Sequence, residues 1–221
     1  MKMMDYTKYG EIVARKCDPK TGKWVEIILD NSTNPLEEGM MAPWDLCMIP
    51  QYSGLSTTDF YGNVRSDEFD EAMKEVREKG GLVMHVFLLD HSGLSISLQP
   101  FNDPWDSGCG GYAILTKEDL VREYDDDPQK ALEALKVKIN ILDASVNGRV
   151  YGVACFDPNT ESESTCWGFY SVPGFADALI AMAEWAEGED PDFGTLIKEC
   201  IFGEKDPLNI RTMACVPTDQ D

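Results

Sequence analysis

Residues 82–98 constrain the fold more than any other stretch. Leu82-Val83-Met84-His85-Val86-Phe87-Leu88-Leu89 is an apolar run broken by a single histidine, the pattern of a strand covered on both faces. Asp90-His91-Ser92-Gly93 then supplies turn chemistry, since an Asp carboxylate accepts backbone N–H groups and glycine tolerates positive φ. Leu94, Ile96 and Leu98 alternate with Ser95 and Ser97, the period of a strand with one apolar face. The expectation is a β-hairpin at the centre of a sheet.

The same grammar recurs along the chain. Segments 9–17 and 24–29 flank Asp18-Pro19-Lys20-Thr21-Gly22-Lys23, and 149–156 and 163–170 flank Asp157-Pro158-Asn159-Thr160, predicting two further hairpins. Residues 112–115 read as a short strand. Residues 30–65 carry no sustained period and read as a long loop region with short elements. Ser66 is a predicted N-cap, with Asp67, Glu68, Asp70 and Glu71 in the first turns and Gly80-Gly81 at the end. Thr116 is predicted to cap a helix over 117–124, and Asp127-Pro128 to open one reaching about residue 145, striped by Leu132, Leu135, Ile139 and Leu142. Helices follow over 174–187 and 192–202, with Leu179, Met182 and Trp185 facing a sheet. The predicted class is α+β: a largely antiparallel sheet built from β-hairpins, with helices packed on one or both faces. No linker divides the chain, so it reads as a single domain over 1–221. Its parts are an N-terminal hairpin, loop region and helix (1–81), a motif-bearing core (82–170) and C-terminal helices (171–221).

Charge narrows the partners. Forty acidic against 19 basic residues give a net charge of −21, a field that repels nucleic acid and anionic lipid and attracts basic protein surfaces. Direct nucleic-acid binding is therefore not expected. A hydrophobic fraction of 43% suffices for a real core. No run of 18 apolar residues spans a membrane, and the first residues lack the apolar stretch of an export signal. The seven cysteines include no C-x-x-C pair, which argues for reduced thiols and a cytoplasmic location rather than a disulfide framework or zinc ribbon.

Chemistry concentrates around the central turn. Asp90, His91, Asp103 and Asp106 combine an imidazole with carboxylates, a set that serves acid–base catalysis or a metal equally well. The bland alternative is that Asp90, Ser92, Gly93, Asp103, Asp106 and Ser107 brace turns through backbone hydrogen bonds. His85 lies six residues before His91 on an extended strand, roughly 20 Å away, so the two do not share an ion. Cys109, between Gly108 and Gly110, is sterically open; with His91 it would make a thiol–imidazole pair, and a catalytic reading would use His91, Asp90 and Cys109. Gly108-Cys109-Gly110-Gly111 is no phosphate loop, for it precedes a strand and no Lys-Ser/Thr follows. No G-x-S-x-G elbow exists, and no cofactor is implied. Trp105 and Trp167 read as core or loop anchors; the third reading of the motif is a binding surface made by Asp90, His91, Ser92, Gly93, Asp103, Trp105, Asp106, Ser107, Gly108 and Trp167.

The acidic residues come in runs, Asp67 to Glu71, Asp125-Asp126-Asp127, and Glu184, Glu187, Glu189, Asp190 and Asp192. Each is explained by a solvated helix end. Gathered on one face at phosphate-like spacing, they would instead imitate a DNA backbone and compete for a basic partner.

Asp90-His91-Ser92-Gly93, Pro104-Trp105-Asp106-Ser107-Gly108 and Cys166-Trp167-Gly168-Phe169, joined by Thr116-Lys117-Glu118, occur in an order and spacing that resembles a family of small proteins from phages, prophages and plasmids. The resemblance covers residues 82–170. That family has no established biochemical activity, so it carries no catalytic residues over. Related proteins more often have Gln where this chain has Cys109, so the resemblance lends the thiol no role. It implies a mobile-element accessory protein acting in the host cytoplasm. By analogy with small acidic phage proteins, the expected partner is a host protein with a basic surface, such as a nuclease or a CRISPR or restriction component. The competing readings are an enzyme or metal-binding protein centred on Asp90, His91, Asp103 and Asp106, and a structural role in the element itself.

Overall fold

The computed structural model describes residues 10–30, 34, 36, 37, 39–58, 66–91, 93–171 and 175–202; for 66–70, 175–177, 201 and 202 the backbone alone is described. The chain forms two compact units, one from Met1–Thr33 and Gly148–Asp221, the other from Asn34–Asn147. Each has its own four-stranded antiparallel sheet with helices, so the α+β class built from hairpins holds, with two sheets in place of one. The boundaries cut across the subdivision 1–81, 82–170 and 171–221, because hydrophobic periodicity reveals strands but not which strands pair.

The first unit orders its strands β1 (Gly10–Cys17), β2 (Trp24–Asp30), β7 (Val150–Asp157) and β8 (Ser162–Tyr170) side by side. Asp18 builds the β1–β2 turn: its carboxylate accepts from Lys20 N at 2.9 Å and Thr21 Oγ1 at 2.7 Å, which holds it below the usual carboxylate range. Asp157 does the same for β7–β8, accepting from Asn159 N at 2.8 Å. Helices α4 (Phe175–Glu189) and α5 (Pro191–Phe202) cover one face, where Val25, Ile27, Val153 and Cys155 meet Leu179, Met182, Ala183, Leu196 and Ile197. Each fully buried Leu or Ile in such a core contributes roughly 1.5–3 kcal/mol. On the other face Ile12, Ile28, Ala154 and Trp167 cluster, beside a fully buried Glu26 ion-paired with Arg15.

The second unit orders β3 (Asp45–Met48), β6 (Ser107–Leu115), β4 (Leu82–Asp90) and β5 (Leu94–Ser97). The β4–β5 hairpin is present as expected, but only β4 is interior; β5 is an edge. Helices α2 (Lys117–Tyr124) and α3 (Pro128–Val146) close one face over Leu46, Val86, Leu88, Ile96, Ala113 and Leu115. Helix α1 (Ser66–Glu78) sits on the other, its Met73 against Cys47 and Ile114. The predicted caps at Thr116 and Asp127 form, accepting from Asp119 N, and from Gln129 N and Lys130 N. The side chain of Ser66, the predicted cap of α1, lies outside what is described. α3 also guards the exposed edge of β5: Asp143 Oδ1 accepts from Ile96 N at 2.8 Å, and Asn147 donates to Leu94 O at 2.7 Å.

One element departs from expectation: β6 begins five residues before the predicted 112–115, while β3 and a short 3-10 helix, Pro50–Leu55, are short elements of the kind expected within 30–65. The glycines that made 107–111 look like a loop serve the strand. A Cβ on Gly111 would stand 2.4 Å from the Cys47 carbonyl oxygen, so only glycine lets β3 approach this closely. Among the described residues no helix is long and apolar enough to cross a membrane.

Candidate functional site

The β4–β5 turn and the loop before β6 meet at one end of the second unit's sheet, because Asp90 N donates to Asp106 O at 2.8 Å. That bond brings Asp90, His91, Asp103, Trp105 and Asp106 together, as the motif predicted. Ser92 lies outside the described residues. His91 Nδ1 is 2.5 Å from Asp106 Oδ2, and Tyr52 donates to Asp90 Oδ2 at 2.9 Å. Asp103 accepts from Trp105 N at 2.8 Å and Asp106 N at 3.0 Å, while Ser107 Oγ donates to the Asp103 carbonyl. The loop is thus braced at both ends by short-range side-chain bonds.

The electrostatics follow these contacts. Asp106 raises the His91 imidazole above its ordinary value by its hydrogen bond and charge, with a smaller contribution from Asp103. Backbone N–H groups of Asp106 and Trp105 hold the Asp103 carboxyl below the usual range. The bond to Asp90 keeps the Tyr52 phenol protonated to higher pH than usual. A raised imidazole pKa means the charged His91–Asp106 pair is fully formed below the free imidazole value and lost as pH rises through the elevated one. Both side chains are exposed, so the pair orients the loop more than it stabilises the fold. In a ring-nitrogen NMR titration, His91 should titrate above an unperturbed imidazole and Asp106→Asn should lower it toward the ordinary value; an unshifted wild-type midpoint would contradict the pair.

Each carboxylate has a local partner: Asp90 with Tyr52, Asp106 with His91, and Asp103 with the backbone. Among the described residues no three His, Cys, Asp or Glu side chains are grouped to hold a metal ion. Cys109 does not pair with His91. Its Sγ lies 3.4 Å from Nδ1 of His85, the histidine considered only as a co-ligand of His91. Gly108 starts β6 with Ser107 rather than shaping a ligand loop.

Trp105 is no core anchor: 90% of its surface is exposed on the braced loop. Trp167 belongs to the first unit, where its ring lies across Gly152 in the space a Cβ would need and packs with Ile12, Ile28 and Ala154. Trp185 packs at the margin of the α4–α5 core. Two of the three acidic runs are engaged locally, and the side chains of Asp67, Glu68 and Asp70 in the other lie outside what is described. Asp125 and Asp126 pair with Lys130 and Lys117, and Asp127 caps α3. Glu187 pairs with Lys198, Glu189 accepts from Ser164, and Asp190 and Asp192 both hold Lys23 at 2.8 Å. Glu184 is exposed on α4. Asp125–Asp127 and Glu184–Asp192 lie on different units.

Tyr52 and His85 are the residues that sequence reasoning missed. Tyr52 lay in the unpatterned stretch, and His85 was judged only against His91, not against a strand two positions across. Compared with known proteins, the chain matches no family model, no curated protein and no solved structure.

Proposed function

We propose that the protein is a non-catalytic interaction protein of a mobile genetic element, acting in the host cytoplasm. Its partner would be an arginine-bearing, basic face of a host defence or nucleic-acid-processing protein such as a nuclease, docked against the Trp105 loop. The observation that carries this reading is an indole 90% exposed on a loop that Asp103, Ser107 and the Asp90–Asp106 bond hold in one shape. Burying a tryptophan side chain of roughly 200 Å² is worth about 4–5 kcal/mol before the costs of association. A braced loop lowers the ordering part of that cost. Asp90, Asp103 and Asp106 share the loop end with the indole, and the whole chain carries −21. A guanidinium stacks on an indole and pairs with carboxylates at once, which makes arginine the complementary side chain.

The DNA-mimic version has weaker support. Asp125–Asp127 and most of Glu184–Asp192, which would contribute to a phosphate-like array, are engaged in caps and ion pairs with Lys23, Lys117, Lys130 and Lys198. Tagged protein in host lysate, washed across a salt series, tests the reading. The expected result is one basic protein retained at low salt and released as screening rises. Retention unchanged up to several hundred millimolar salt, or no retained protein at all, would overturn it.

A further inference from the structure

The exposed side chains of Cys109 and His85 stand against each other on neighbouring strands, with Sγ to Nδ1 at 3.4 Å. Strand register brings them together. His85 and Phe87 share a face of β4, His85 opposes Tyr112, and the bulge after Val86 makes Cys109 the partner of Phe87 by passing over Gly110. The imidazole is held from two sides, its centroid 4.8 Å from the Tyr112 ring and 6.0 Å from the Phe87 ring, stacked on the latter at 27°. Beside the thiol the chain is open: a Cβ at Gly108 would meet no atom within 4 Å. A nucleophile, a base within reach and groups that orient the base are the components of an activated thiol.

We propose that Cys109 and His85 form a nucleophile–base pair through which this protein takes up small disulfides. At rest the thiol also lies 3.4 Å from the Gly111 carbonyl, an acceptor that suits a neutral S–H. As the sulfur attacks a disulfide RS–SR, its proton passes to His85. The reagent's S–S bond breaks, a Cys109–SR bond forms, and the departing RS⁻ takes the proton from the imidazolium. One disulfide and one thiol go in and one of each comes out, so no further oxidant is needed. The other described cysteines are poorer candidates. Cys47 and Cys155 are buried, and burial pushes each thiol up to about 12; Cys17, Cys166 and Cys200 are half-buried. The pair is independent of the Trp105 docking face, so either proposal can fail alone.

The test uses the full chain and a neutral dipyridyl disulfide, because an anionic reagent would be repelled by the protein's charge. Release of the pyridyl thiol is followed by absorbance, and the modified cysteine is mapped by peptide mass spectrometry. We expect the fastest phase to map to Cys109, to vanish in Cys109→Ser, and to slow about tenfold or more in His85→Asn, with slower phases unchanged. His85→Gln keeps the test decisive if Asn disturbs β4. A fastest phase at another cysteine, or a folded His85 variant that keeps the wild-type rate, would overturn the pair.

Discussion

Trp105→Ala is expected to weaken partner binding by about 30-fold or more, since a central tryptophan anchor costs about 2 kcal/mol or more when truncated. The same change should leave thermal stability where it was. At 90% exposure the indole contributes almost nothing to the core, and surface substitutions stay within about 0.5 kcal/mol. That separation is the strength of the test, for a core tryptophan would lose both together. Titration calorimetry with the protein retained in the salt series gives the affinity, and a thermal melt gives the stability. Equal affinity of the variant and wild type would move the docking face elsewhere. A drop in melting temperature would mean the loop is packed, not presented.

The second large effect lies in the first unit. Glu26 is fully buried on β2, and Arg15 Nε donates to its Oε1 at 2.6 Å, with a second bond from the same guanidinium. Arg15 also stands over the Trp24 ring at 5.4 Å. Removing one partner of a buried pair takes away the counter-charge of the other, which costs more than the pair itself was worth. Arg15→Met should therefore destabilise by about 3 kcal/mol, the low end for such pairs because the Arg15 side chain is 31% exposed. Met preserves the stem packing and leaves the charge effect. Arg15→Met with Glu26→Gln should recover most of the loss, because a neutral amide needs no counter-charge. Urea unfolding of the two variants decides it; a single change costing under about 1 kcal/mol, or a double no better than the single, would show the pair to be incidental.

Local chemistry was legible and long-range pairing was not. Asp18, Asp157, Thr116 and Asp127 announced turns and caps within four residues of where they act, and all four act there. The motif cluster was legible for the same reason, since its residues lie on two loops joined through one short strand. Three things escaped. The split into two sheets depends on β2 choosing β7, more than a hundred residues away, over any strand between them. The Cys109–His85 contact depends on a one-residue bulge that composition does not reveal. The exposure of Trp105 depends on which way a braced loop points, and its sequence is equally suited to either direction.

The pairing of β2 with β7 has a consequence for how the protein is made. As the chain leaves the ribosome, β1 and β2 emerge first, yet the neighbour that completes their sheet comes after the whole of Asn34–Asn147. The inserted unit can finish its own sheet and helices during synthesis, while β2 waits with one edge unmet and Glu26 not yet sealed in. A nascent chain of this order carries an unpaired strand until β7 has been made, and it is there that chaperones or a mispaired neighbour would find it.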